Sequence, residues 1–318
     1  AFPWGFLIIG RLLANLIGFA FVPLILACAY AVFDGTTEKR DRARAFFLVL
    51  LGCLLAVFAQ PNLIFSVFAL FIPYGAYRVW NVVSDHATSH VRLLQFCGMG
   101  AFFVIIIVVW AFCLNASFMQ SVVNFDWPAL STIPQAFVDA LFVCSSLTPI
   151  SPVLALFLVI GIVGTFKERN HLWITVLFIF VTIMYVACVA TNGSLDRILT
   201  GFWYTDRFRI SALLAIVQTL LIAFGLAKTY SFIRKRKNYK RPIWIALTVV
   251  LFVLLLFPSF TLRGLTIVDT PFGHLRHELH SLYRSDQADN EAVFSQEEQD
   301  FVDQARDLVG NARVYNTP

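Results

Sequence analysis

Charge is what this sequence has least of. Only 14% of its 318 residues are charged and 59% are hydrophobic, with a mean hydropathy of +0.76. A water-soluble domain carries about a quarter charged residues. That shortage argues against a soluble enzyme, a disordered chain and a nucleic-acid-binding domain. The net charge of +5 does not reverse this, because the cations sit in short stretches between apolar runs. Cysteine is also sparse. Cys28, Cys53, Cys97, Cys113 and Cys188 lie inside apolar runs and Cys144 in a mainly apolar loop, with no CxxC pair, so they read as small apolar residues rather than a disulfide framework or zinc site. There is no GxSxG, no P-loop and no GxGxxG leading into a helix, so neither ATP hydrolysis nor a nicotinamide cofactor is indicated. His274, His277 and His280 stand in HLRHELH, which is not HExxH, and their spacing spreads the imidazoles over a wide arc of a helix. No cofactor is identified, and a divalent metal has no support in the sequence.

What the sequence has is long apolar runs. Eight segments can be drawn, at 12–33, 45–59, 63–80, 93–114, 150–166, 172–190, 209–230 and 242–260. A helix of about 20 apolar residues crosses the ~30 Å hydrocarbon core. The second and third are separated by Gln60-Pro61-Asn62, and a tight hairpin is the expectation there, because Pro61 breaks a helix.

Lys and Arg set the orientation. Lys39, Arg40, Arg42 and Arg44 lie in the 34–44 loop, and Arg234 to Arg241 holds six cations. Lys167 and Arg169 lie between the fifth and sixth segments, and Arg78 and Arg92 flank 81–91. With eight spans all fall on the cytoplasmic side. The opposite loops 59–62 and 115–149 have no Lys or Arg. The basic loops read as topology signals and contacts to anionic lipid.

Composition shifts after Leu262. Ten acidic residues fall between Asp269 and Asp307, and Leu275, Leu279 and Leu282 form a helical stripe. Ser295 with Glu298 reads as a capping box before Phe301, Val302, Ala305, Leu308 and Val309, and Val314-Tyr315 as the start of a strand. The expectation is an all-α integral membrane protein of about eight transmembrane helices with the start of an exterior α/β domain. Residues 1–262 form the membrane part and 263–318 the opening of an extracytoplasmic domain. Both ends read as cut, with further spans expected before Ala1.

The outer loop TNGSLDRILTGFWYTDRFR, Thr191 to Arg209, is the richest in chemistry. Arg197, Arg207 and Arg209 run against the positive-inside trend, beside Asp206, Trp203 and Tyr204. One reading is an aromatic belt with Asp206 pairing Arg207 or Arg209. The other is an anion site, since guanidinium forks suit phosphate and aromatic rings suit a sugar face or lipid headgroup. Asp206 either caps the following helix or holds Arg209. Gln60 and Asn62 are a second candidate pair, as sugar or phosphate contacts or as partners for backbone groups freed at Pro61. In the 115–149 loop, Phe137, Leu141 and Phe142 suggest an interfacial amphipathic segment. Its Asp139, with Asp126, is weak evidence for a general base.

Two stretches carry a resemblance. One runs from Pro3-Trp4 through Asn15-Leu16-Ile17-Gly18 to Gln60-Pro61-Asn62-Leu63-Ile64-Phe65, and the other is Leu199-Thr200-Gly201-Phe202-Trp203-Tyr204-Thr205-Asp206-Arg207-Phe208-Arg209. Together they resemble an uncharacterised actinobacterial family of polytopic membrane proteins, itself similar to GT-C type glycosyltransferases, which take sugars from polyprenyl-phosphate donors. That family more often has His-Pro-Asn where Gln60 stands here. Its Trp-Tyr-x-Asp-x-x-Arg pattern matches Trp203, Tyr204, Asp206 and Arg209. The resemblance implies transfer of a sugar from a polyprenyl-phosphate donor to a glycan or lipid acceptor on the outer face of the cell membrane. It implies a general base in the first outer loop, expected before this stretch of chain, and donor contacts from Trp203, Tyr204, Asp206, Arg207, Arg209, Arg197, Gln60 and Asn62. The rivals are a transporter or flippase of lipid-linked sugars and a non-catalytic envelope scaffold. Membrane lipid is an expected partner and nucleic acid is not.

Overall fold

A computed structural model describes residues 5–8, 12–34, 36–87, 90–125, 127–145, 149–235, 241–256, 259–262, 265–269, 271–288, 300, 301, 303 and 304. The helices, in chain order, are α1 (Gly5–Ile8), α2 (Leu13–Phe33), α3 (Lys39–Ala59), α4 (Leu63–His86), α5 (Val91–Asn115), α6 (Gln120–Val123), α7 (Ile133–Leu141), α8 (Pro152–Lys167), α9 (Leu172–Ala190), α10 (Ser194–Thr200), α11 (Arg207–Arg234), α12 (Arg241–Leu256) and α13 (Pro271–Ala288). Among the described residues, six helices are long and apolar enough to cross a membrane: Leu13–Phe33, Lys39–Ala59, Leu63–His86, Val91–Asn115, Arg169–Ala190 and Arg207–Arg234. Pro152–Lys167 is apolar but shorter. Each of the eight apolar runs is helical over most of its length.

Several boundaries differ from the hydropathy reading; α4 runs on to His86 rather than ending at 80, and α11 to Arg234 rather than 230. The second helix starts at Lys39 rather than 45, because its four cations fit the first turns and extend their heads toward water. The last apolar run does not stay helical to residue 260. Helix α12 ends at Leu256, and β1 (Ser259–Leu262) pairs antiparallel with β2 (Leu265–Asp269). Thr261, Thr266, Ile267 and Val268 favour extended backbone. The stripe of Leu275 and Leu279 lies on α13, which begins with Pro271 in its first turn. The capping box at Ser295 and Glu298 and the strand expected at Val314-Tyr315 lie outside the described residues.

The chain breaks at Gln60-Pro61-Asn62, where Gln60 is extended and Leu63 N–H bonds Gln60 O at 3.0 Å. Close contacts give the helix directions. Gly18 lies against Ala59 and Leu63, and Gly52 against Ile25, so α2 and α3 are antiparallel. Gly18 meets Leu63 at the start of α4 and Tyr30 stacks on Tyr74 twelve and eleven residues further on, so α2 and α4 run the same way and α3–α4 is a hairpin. Gly75 meets Phe102 and Gly98 meets Val79 and Val83, so α5 returns antiparallel along α4. Trp173 at the start of α9 packs on Tyr30 and Tyr74, and Lys228 of α11 pairs with Glu168 at the end of α8. The described parts of the basic connections 34–44, 81–91 and 167–171 therefore gather at one end of the bundle. The 60–62 turn, the 116–151 segment and the 191–206 loop gather at the other.

Helix α9 is the centre, with Leu177, Val181, Met184 and Tyr185 buried. Lipid tails are as apolar as Leu, so close backbone approach and interhelical hydrogen bonds hold such a bundle. Gly161 of α8 and Gly225 of α11 show the approach: a Cβ on either meets the other helix's backbone carbonyl, of Leu221 or of Phe157. Thr165 and Thr175 share a buried 2.6 Å bond between α8 and α9. Gln218 of α11 donates to Ala140 O of α7 at 2.7 Å.

Helix α7 lies in the 116–151 segment, its N-terminus capped by Thr132. Its small residues Ala136 and Ala140 are buried while Ile133, Phe137 and Leu141 are exposed. Small inside and large apolar outside is the pattern of a segment lying against hydrocarbon.

Candidate functional site

The 191–206 connection builds a cavity of about 520 Å³ at the end away from the basic loops. Its floor is the N-terminus of α11. Asp206 is the N-cap, accepting from Phe208 N–H at 2.8 Å, which ties down a donor that the helix itself leaves open. Its other oxygen lies 3.5 Å from Arg209 Nε, with both side chains largely buried. The Arg209 guanidinium also covers the Tyr204 ring, 4.5 Å from its centroid, and Nη1 donates to Trp203 O at 3.4 Å. Arg207 lies over the Phe208 ring at 4.6 Å, and it and Arg209 both line the cavity. Burial raises the Asp206 pKa above 3.8, partly offset by the Phe208 N–H and by the charges of Arg209 and Arg207.

Tyr204 and Thr205 are both left-handed, at φ 61° and 47°. That backbone is uncommon for any non-glycine residue and costly for a β-branched one. Thr205 is held there from all sides. Its N–H bonds Thr200 O, its carbonyl accepts from the Cys188 thiol, and its hydroxyl accepts from Trp127 N–H and donates to Phe125 O, each of the last two at 3.2 Å. The wall formed by 127–131 is pinned further, because Ala129 N–H donates to Asn192 Oδ1 at 2.7 Å and the Leu130 and Ser131 N–H groups both bond Val189 O. Such a backbone persists only where the surrounding structure over-determines it. The cavity's remaining lining is mainly apolar, from Leu12, Phe125, Trp127, Pro128, Leu130 and Val189.

The structure separates the residues grouped by sequence. Tyr204, Asp206, Arg207 and Arg209 line the cavity; Arg197 and Trp203 do not. The expected cluster of three arginines is therefore two, because Arg197 is exposed on α10, a helix that turns it away from the cavity. Trp203 is fully buried, its indole N–H donating to Ser66 Oγ at 2.8 Å, and the neighbouring Phe202 stacks on Phe65 at 4.0 Å. It joins α4 to the loop, so the aromatic face beside the guanidinium belongs to Tyr204.

Gln60 and Asn62 also lie outside the cavity lining. Gln60 terminates α3, and its carbonyl accepts from Leu63 N–H. Asn62 is buried, and neither amide atom has a hydrogen-bond partner. Asp139 accepts from Gln135 and from the Cys144 thiol, whose pKa is pushed up to about 11 by burial and then by Asp139. Asp126 lies outside the described residues. Among the described residues no group of three or more His, Cys, Asp or Glu could hold a metal ion. Sequence reasoning missed Thr205, Leu12, Phe125 and Cys188, whose side chains carry no charge and give no signal by type.

The family model described as "Family of unknown function (DUF6541)" matches residues 1–318, and the chain belongs to that family. No curated protein and no solved structure matches the chain.

Proposed function

We propose that this member of the DUF6541 family is a cell-membrane protein that binds the phosphate-bearing head of a lipid-linked sugar in the cavity at Arg207 and Arg209 and transfers the sugar to a glycan or lipid acceptor. On this reading all eight apolar helices span, the basic connections face the cytoplasm, and the cavity and the segment after Leu262 face the outside. The observation that carries it is the pair of guanidinium groups lining an otherwise mainly apolar cavity at the end remote from the basic loops. Arg209 is already engaged by Asp206, Tyr204 and Trp203 O, and the Asp206 carboxylate offsets its charge. Arg207 forms no ion pair among the described residues and is the group assigned to phosphate oxygens.

In the reaction, an acceptor hydroxyl attacks the anomeric carbon of the sugar. The bond from that carbon to the donor phosphate oxygen breaks, and the polyprenyl phosphate leaves with the electron pair. Two guanidinium groups in a water-poor cavity stabilise that departing charge more than they do the intact donor. Tyr204 and Trp127 offer ring faces for the sugar. Asp206 caps a helix and pairs with Arg209, so the hydroxyl proton is assigned to the departing phosphate, whose new terminal oxygen can take it up.

Transfer from a radiolabelled polyprenyl-phosphate sugar is measured in membranes carrying equal amounts of inserted wild type or variant. The expected result is a loss of about tenfold or more in Arg207→Gln, the worth of one charged hydrogen bond. Full activity in that variant overturns the assignment. The flippase reading is less well served, because the larger groove elsewhere in the bundle is mainly apolar between its two ends.

A further inference from the structure

A second concavity, of about 810 Å³, shares no lining residue with the first. It lies where α5 packs along one side of α4 and α9 along the other. Pro73 and Ala76 of α4 form its floor, Phe103 and Ile107 of α5 one wall, and Val176 and Phe180 of α9 the other. From Met99 to Leu114 it runs about 22 Å along α5 at the helical rise. Its far end is closed where Trp110 Nε1 donates to Ile198 O at 2.7 Å, tying α5 to α10. Its other end reaches the basic side, between Arg169, Tyr77 and Trp80.

We infer that this groove holds one hydrocarbon chain of an anionic glycerophospholipid whose phosphate sits on Arg169. The shape is a slot open toward the surrounding hydrocarbon, closed at one end and cationic at the other. Arg169 is exposed and forms no ion pair among the described residues. The adjacent carboxylate of Glu168 is already engaged by Lys228 and His171, and Lys228 holds its pKa below 4.5. The mouth is therefore positive, and a guanidinium matches the planar fork of phosphate oxygens. Tyr77 and Trp80 stand at the same level, where amphipathic rings face the headgroup zone. Basic pockets between membrane helices at the cytoplasmic end bind lipid phosphates in this manner. The site does not depend on the sugar-transfer reading, since it is separate from the outer cavity.

The probe is phosphatidylglycerol carrying a diazirine in its acyl chain, added to the full chain in phosphatidylcholine nanodiscs, with crosslinked peptides mapped after irradiation. Saturable labelling of α4, α5 and α9 is expected, lowered about tenfold in Arg169→Gln, as for loss of one charged hydrogen bond, and unchanged in Arg92→Gln at the same end. Ala111→Trp, which fills the groove from α5, is expected to abolish labelling while Arg169 remains. A diazirine phosphatidylcholine of equal chain length is expected to label the groove weakly. Equal labelling of the exposed face of α3, with no effect of Arg169→Gln, means annular lipid only and overturns the inference. Equal labelling by the two lipids overturns it as well.

Discussion

At the residue scale the two cavity arginines do different work. Arg209 is largely buried against Asp206, so truncating it strands a carboxylate. Arg209→Ala is expected to lower stability by about 3 kcal/mol, in the range for breaking a buried pair. Arg207, held only over a ring, is expected to leave stability within about 0.5 kcal/mol as Arg207→Gln. Chemical unfolding in mild detergent measures both, and equal losses would contradict the division. Asp206 adds a pH dependence. Its folded pKa is raised above 3.8 by burial, so its contribution is full below that value and is lost as pH rises through the folded pKa. Asp206→Asn keeps the cap and removes the titration. The stability of the variant should be flatter over that window than that of wild type, and identical curves would contradict the burial argument. Thr205 shows why part of the site was hidden. Its importance comes from a left-handed backbone and four hydrogen-bonded neighbours, none of which residue type reveals.

At the element scale, what was legible was whatever hydrophobic run length controls. The eight helices and the break at Pro61 follow from apolar runs and a residue without an N–H. The true ends did not follow, because Lys39 to Arg44 look like loop by hydropathy yet sit well in the first helical turns, and Ser259 and Phe260, at the end of the last apolar run, belong to a strand. Within the 116–151 and 191–206 segments the amphipathic stretch at Phe137, Leu141 and Phe142 was legible and is α7, while the other short helices were not. Those are set by tertiary bonds such as Leu130 N–H to Val189 O. The packing of α8 on α11 gives a sharp test. Gly161→Leu has nowhere to place its Cβ except against Leu221 O. The expected cost is about 3 kcal/mol, at the upper end for overpacking, read as a lower melting temperature. Gly100→Ala, with nothing within 4 Å of the new atom, should instead be neutral or stabilise by up to about 1 kcal/mol through helix propensity. Matching effects at the two glycines would contradict the close approach of α8 and α11.

At the scale of the whole molecule, the bundle is polarised. The basic connections lie at one end, and the strained loop, the cavity and α7 with its large apolar residues outward lie at the other. On the proposed reading such a bundle takes one orientation in a membrane, set by its cations. In a cysteine-free background, Leu195→Cys on α10 should react with an impermeant maleimide added to intact cells, and Thr37→Cys should react only after lysis. Labelling of both from one side would contradict the polarity.

Phosphate selectivity is proposed for the cavity beside Arg207. Its most direct test is a titration of the purified chain with decyl phosphate and with decanol, in wild type and in Arg207→Gln. The account predicts that wild type prefers the phosphate by about tenfold or more, the worth of a charged hydrogen bond, and that the preference disappears in the variant. Equal affinity for the two compounds in wild type, or a preference that survives in Arg207→Gln, would contradict it.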